Sequence, residues 1–71
     1  MTNVVPIRPA MNDPLLAVSL RRSTLADALG ALRVLANDEA GTELGAYCRS
    51  AAEEIARVLI EADPDRANDY A

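Results

Sequence analysis

The chain has no histidine, lysine, tryptophan or phenylalanine, and its one cysteine is Cys48. Without His or Lys it lacks the usual general base near neutral pH and the amine that forms a Schiff base, so no enzymatic activity is expected. The missing histidine also removes the commonest metal ligand, and one cysteine cannot form an internal disulfide. No metal and no cofactor are therefore expected. No apolar run approaches the ~20 residues of a membrane span. Met1 to Ala10 carries two prolines and one arginine but no apolar signal core. A cytoplasmic protein with no membrane partner is the expectation.

What is present is a small, acidic, aliphatic chain of 71 residues, 51% apolar, with seven basic and eleven acidic side chains and a net charge of −4. Leucine, valine and alanine dominate, a composition that suits packed helices better than sheets. A core this small rarely supplies more than ~3–5 kcal/mol unless a disulfide, a metal or self-association adds to it. Only association remains, so a homo-oligomer, taken as a dimer, is expected. The acidic balance argues against a protein that wraps nucleic acid by neutralising phosphates. All seven basic residues are arginine, which makes better planar, bidentate contacts than lysine, though a coding bias is the simpler reading.

Residues 1–12 read as a flexible tail, because Pro6 and Pro9 lack backbone donors and push Val5 and Arg8 toward extended geometry. The apolar run Val4, Val5, Ile7 within it suits an extended peptide docked on a partner. Asn12-Asp13-Pro14 is a helix-start signal that opens a helical domain over 13–63. Residues 15–21 read first as a short helix, with a strand as the alternative. As a helix, Leu15 and Val18 share a face with Leu25, Leu29, Leu32 and Ala36, with Arg22 inside that stripe. As a strand, Leu16, Val18 and Leu20 point one way and Ala17, Ser19 and Arg21 the other. Thr24 and Asp27 form a modest capping box, which predicts a break near Ser23 and a helix over about 24–37.

Asn37 to Gly41 reads as the connection and 40–62 as the second helix, ended by Asp63-Pro64. Leu44, Cys48, Ala51, Ile55, Val58 and Ala62 fall on one stripe of it, with Arg49, Glu53, Glu54, Arg57 and Glu61 largely opposite. So short a link predicts antiparallel neighbours. Residues 64–71 read as an acidic tail with room for one helical turn. The expected fold is all-α: an antiparallel helical hairpin associating into a dimeric bundle.

Few residues invite chemistry. Cys48 lies on the apolar stripe, where a thiol behaves as a small hydrophobe. Glu39 and Glu43 share a helix face, but with no histidine to join them they read as solvated, like Glu53 and Glu54. Gly41 and Gly45 are four apart, a spacing that permits close backbone approach; the simpler reading has Gly41 in the loop and Gly45 merely tolerated. Gly30 weakens the first helix unless a close crossing offsets it. Arg21-Arg22 is the only basic cluster, a candidate contact for an anion or nucleic acid ahead of a helix start. The expected interface comprises Leu25, Leu29, Leu32, Leu44, Tyr47, Cys48, Ala51, Ile55, Val58 and Leu59. Tyr47 serves as a half-buried aromatic with a polar tip.

Two functions follow. Helices with one apolar stripe each need cover, which makes the chain a non-enzymatic protein-interaction module: an adaptor, regulatory subunit or inhibitor with an unidentified protein partner. Small acidic proteins of phages and mobile elements share this look. The alternative rests on the strand reading, in which Leu16 to about Ala52 resembles the ribbon-helix-helix family. Leu16, Val18 and Leu20 match its inward strand positions, Leu25, Leu29 and Leu32 its first helix, and Thr42-Glu43-Leu44 the start of its second. That resemblance implies a DNA-binding transcriptional regulator whose paired strands present Ala17, Ser19 and Arg21 to the major groove.

Overall fold

A computed structural model describes residues 14–71. The expected tail, with Val4, Val5 and Ile7, and the Asn12-Asp13 start signal lie outside the described residues. Those described are mostly helical, with no strand among them: α1 spans Arg22–Asp38, α2 Glu43–Ala62, and after a 3-10 turn at Pro64–Arg66 a four-residue α3 spans Ala67–Tyr70. At 1.5 Å per residue α2 is about 30 Å long.

Residues 14–21 form neither of the two regular elements considered for them. They lead into α1 without regular structure and exposed, so Pro14 starts no helix. The helix begins at Arg22, two residues before the predicted point. The Arg21 carbonyl accepts from the amides of Thr24 and Leu25 at 3.1 and 3.2 Å, and no side chain caps this end. The Thr24–Asp27 capping box is therefore not formed, because Thr24 already lies inside the helix.

The turn between the long helices is Glu39–Thr42, shorter than predicted, and its chemistry explains the shift. Asn37 stays helical, and the left-handed position falls instead on Gly41, with φ of 89°, where a residue without Cβ is unstrained. Thr42 then caps α2. Its hydroxyl donates to the Glu39 carbonyl at 2.6 Å and accepts from the Gly45 amide at 3.1 Å. This satisfies one of the orphan donors of a helix start.

Gly45 is the other half of this corner. It is buried, and a Cβ there would collide with the Glu39 carbonyl and lie 3.3 Å from the Ala36 oxygen. The Gly41/Gly45 spacing thus divides its work: one glycine makes the turn, and the other lets the end of α1 close on the start of α2. Gly30, by contrast, has open space around it, so no close crossing offsets its cost.

The two long helices pack along one another, the end of α1 meeting the start of α2 at Gly45. At the far end Arg22 of α1 is ion-paired to Asp63, just past α2, at 3.0 Å. That contact explains the arginine inside the α1 stripe: it stands at the open end of the seam, where a carboxylate meets it. The buried line on α2 is Gly45, Cys48, Ala52, Ala56 and Leu59. It repeats in threes and fours one residue on from the predicted stripe. Opposite it, Leu29 and Ala36 of α1 are buried. The small side chains Gly, Cys and Ala bring the helix backbones close, so the larger residues are displaced to the flanks of the contact.

The C-terminal segment belongs to this core. Asp63 accepts from Arg66 at 3.3 Å as well as from Arg22, and its amide donates to the Leu59 carbonyl at 3.0 Å. Pro64 then turns the chain back. Tyr70, assigned to a tail by the sequence, joins Leu29, Ala52, Ala56 and Leu59 in the buried cluster, with Ala26 and Ile60 packed against it. Arg33 fastens the turn by donating to the backbone carbonyls of Tyr70 and Ala71.

Candidate interaction surface

The seam divides the helix pair into two flanks. With about 100° between successive residues, Ala26, Gly30, Arg33 and Asn37 of α1 and Arg49, Glu53 and Ile60 of α2 lie to one side of the buried lines. Leu25, Ala28, Leu32 and Leu35 of α1, with Leu44, Tyr47, Ala51, Ile55 and Val58 of α2, lie to the other. The first flank carries charge: Arg33, Asn37, Asp38, Arg49 and Glu53, with the exposed Val34, line a shallow cleft there, and the Tyr70 turn packs against Ala26 and Ile60 beyond it. The second flank carries no charge until its outer edge, where Glu54 stands.

The expected interface residues separate accordingly. Leu29, Cys48 and Leu59 are buried within the seam of a single chain. Leu25, Leu32, Ala51 and Ile55 are half-buried on the uncharged flank. Leu44, Tyr47 and Val58 are about half exposed there, at 49%, 52% and 48%, and Leu35, which the sequence reading left out, is 38% exposed beside them. Its spacing of three from Leu32 and ten from Leu25 could have identified it.

The extended segment adds to the same side. Leu16, Val18 and Leu20 share a groove with Leu25, Ala51, Ile55 and Val58. They remain 79%, 70% and 57% exposed, so they rim the groove without filling it. Of the basic pair, Arg22 is engaged by Asp63, while Arg21 is exposed at the end of the extended segment. The two arginines therefore do not act as one anion cradle.

Chemistry is sparse. Cys48 is buried. Among the described residues no group of three or more His, Cys, Asp or Glu side chains could hold a metal ion, and Glu39 and Glu43 stand alone. Among those residues no helix is long and apolar enough to cross a membrane. Compared with protein-family models, curated proteins and solved structures, the chain matches none.

Proposed function

We propose that this chain is a non-enzymatic protein-association module. In this reading it is an antiparallel helical hairpin that pairs with a second copy through its uncharged flank. The dimer then engages another protein as an adaptor, regulatory subunit or inhibitor. The observation that carries the reading is the flank itself. Leu35, Leu44, Tyr47 and Val58, with Leu16, Val18 and Leu20, are 38–79% exposed on one side of the molecule. Seven large apolar residues so exposed present on the order of several hundred Å2, at or above the ~300–600 Å2 of the largest patch on a typical monomer. That is comparable to the ~800 Å2 each partner gives to a standard interface.

Light scattering across a concentration series tests this with the full chain and Val58→Asp. The expected result is a dimer for the wild type and a monomer of unchanged helicity for the variant, because a charge on a dry flank is unpaired on association. A wild type that stays monomeric and melts cooperatively overturns the proposal.

A second reading is supported by two observations. Residues 14–21 are not helical, and α2 begins at Glu43 with Thr42 as its cap. Both features follow the ribbon-helix-helix resemblance and its DNA-binding role. Against it stand the net charge of −4 and the engagement of Arg22 by Asp63. A salt-dependent shift of duplex DNA that disappears in Arg21→Ala would make this the better reading.

A further inference from the structure

The uncharged flank is patterned symmetrically about its own middle. On α2, Leu44, Tyr47, Ala51, Ile55 and Val58 follow one another at intervals of three, four, four and three, and at 100° per residue all five fall within about 40° of Ala51. Read in either direction from Ala51 the order is the same: a large side chain four residues away, Tyr47 or Ile55, and another at seven, Leu44 or Val58. On α1, Leu25, Ala28, Leu32 and Leu35 follow at three, four and three, symmetric about Gly30. The two midpoints stand at one level. Gly45 meets Ala36 across the seam, and in an antiparallel pair each step forward along α2 is a step back along α1. Ala51, six residues beyond Gly45, is therefore level with Gly30, six residues before Ala36.

We infer that two copies stack flank on flank about a two-fold axis, perpendicular to the helices, that passes level with Gly30 and Ala51. This rests on the homodimer proposed above and specifies its geometry. Such an axis lays α2 antiparallel on α2 of the second copy and α1 antiparallel on its α1. On the α2 side, Leu44 then faces Val58 of the second copy, Tyr47 faces Ile55, and Ala51 faces Ala51. On the α1 side, Leu25 faces Leu35 and Ala28 faces Leu32. Because the midpoints are level, one axis serves both helices and leaves no large residue of either stripe without an apolar counterpart. The contact is self-complementary, as a closed dimer requires. Alanine at its centre lets the helix axes approach closely there.

Charge and shape select this orientation over its alternative, an axis along the helices that sets the two turns side by side. The turn is acidic: Asp38, Glu39 and Glu43 stand there, with no basic residue between Arg33 and Arg49. Side by side, the two turns would gather the carboxylates of both copies, and like charges so placed repel. The perpendicular axis sends the turns to opposite ends. Glu43 then comes level with Arg57 and Glu61 of the second copy, so a cation stands within a turn of it. The same axis fills the groove. Its helix-borne walls are Leu25, Ala51, Ile55 and Val58, with Leu16, Ala17, Val18 and Leu20 along its rim. The residues delivered there are Leu35, Tyr47 and Leu44 of the second copy, which are 38%, 52% and 49% exposed in a single chain.

Disulfide trapping in the full chain locates the axis, with the wild type as control because Cys48 is buried. Helix axes ~8–10 Å apart, with Cα atoms on a radius of ~2.3 Å, leave ~3.5–5.5 Å between facing Cα atoms, overlapping the ~4.4–6.8 Å that a disulfide spans. The two copies of Leu44, by contrast, lie about 21 Å apart along the helices at 1.5 Å per residue. Under mild oxidation Ala51→Cys is expected to form a covalent dimer at least ~10-fold faster than Leu44→Cys, while Leu44→Cys/Val58→Cys regains the fast rate through the facing pair. Equal rates for the two single variants, or no covalent dimer from Ala51→Cys while the wild type scatters as a dimer, overturn the axis and leave the homodimer standing. A monomeric wild type overturns both. A bulkier side chain at the crossing is an independent check that needs no oxidant. Ala51→Leu is expected to raise the dimer dissociation constant at least ~10-fold with helicity kept, because it holds the helix axes apart; an unchanged or tighter dimer puts the closest approach elsewhere and rejects the axis.

Discussion

On one flank of the α1–α2 seam, Arg33, Arg49 and Glu53 face a shallow cleft and the Tyr70 turn closes over Leu29, Ala52 and Ala56. On the other, nothing from the described residues covers Leu35, Leu44, Tyr47 or Val58. The same two helices build both sides, so the difference lies in what the rest of the chain provides. Asp63-Pro64 sends the C-terminal segment to the polar flank, where Arg22, Arg33 and Arg66 hold it. The N-terminal approach reaches the uncharged flank without regular structure and lines its groove without filling it. The chain thus covers one side internally and leaves large apolar residues of the other exposed.

The harshest way to break this comparison is to remove what both sides share. Leu29 is 3% exposed at the centre of the buried cluster. Leu29→Ala removes the transfer energy of a leucine and leaves a cavity, at a cost of ~2–5 kcal/mol. That is of the same size as the ~3–5 kcal/mol a core this small supplies. The expected outcome is loss of most helicity by circular dichroism at 25 °C. Next comes a change confined to the uncharged side. Ile55→Asp is expected to raise the dimer dissociation constant at least ~10-fold, about 1.4 kcal/mol, with helicity kept, while the neighbouring Glu54→Ala leaves mass and melting alone. Equal losses from the two would mean that the flanks have been assigned to the wrong sides.

How much of this was legible in the sequence differs between the same regions. The spacing of apolar residues located both long helices to within a few positions, because a period of 3.6 is imposed by any one-sided burial. Their phase was misplaced by one residue on α2. Hydropathy favours Leu44, Ile55 and Val58 as the inward stripe, whereas close packing of backbones selects Gly45, Ala52 and Ala56, whose value lies in being small. Tyr70 was missed because its partners, Leu29 and Arg33, are close only after Asp63-Pro64 has turned the chain. The helix or strand ambiguity at 15–21 reflects a segment that takes up neither regular element.

The glycines sharpen the comparison at smaller scale. Gly45 faces the Glu39 and Ala36 carbonyls with no room for a methyl group, whereas Gly30 opens on solvent. Gly45→Ala is therefore expected to cost ~1–3 kcal/mol through displaced backbone and a weakened Thr42 cap, read as a lower urea midpoint. Gly30→Ala is expected to gain ~0.5–1 kcal/mol, because alanine loses less freedom in a helix. If both substitutions destabilise equally, the close approach at the turn is not what holds Gly45 in place.

The smallest effect tests what closes the polar flank. Arg33 donates to the carbonyls of Tyr70 and Ala71 but is itself exposed. Solvent competes for these bonds, and screening reduces the worth of exposed charged contacts to ~1 kcal/mol or less. Arg33→Ala should lower the melting temperature by only a few degrees. Its local consequence should be larger than its global one. With the anchor gone, the Tyr70 ring is held only by Leu29, Ala52, Ala56 and Leu59, and the amides of Ala67–Tyr70 should exchange faster while those of α1 and α2 do not. The wild-type mass should be retained, since the proposed dimer contact is on the opposite flank. If Arg33→Ala dissociated the dimer instead, the C-terminal turn would be part of the shared interface, and the contrast between a flank closed from within and one closed by a second copy would fail.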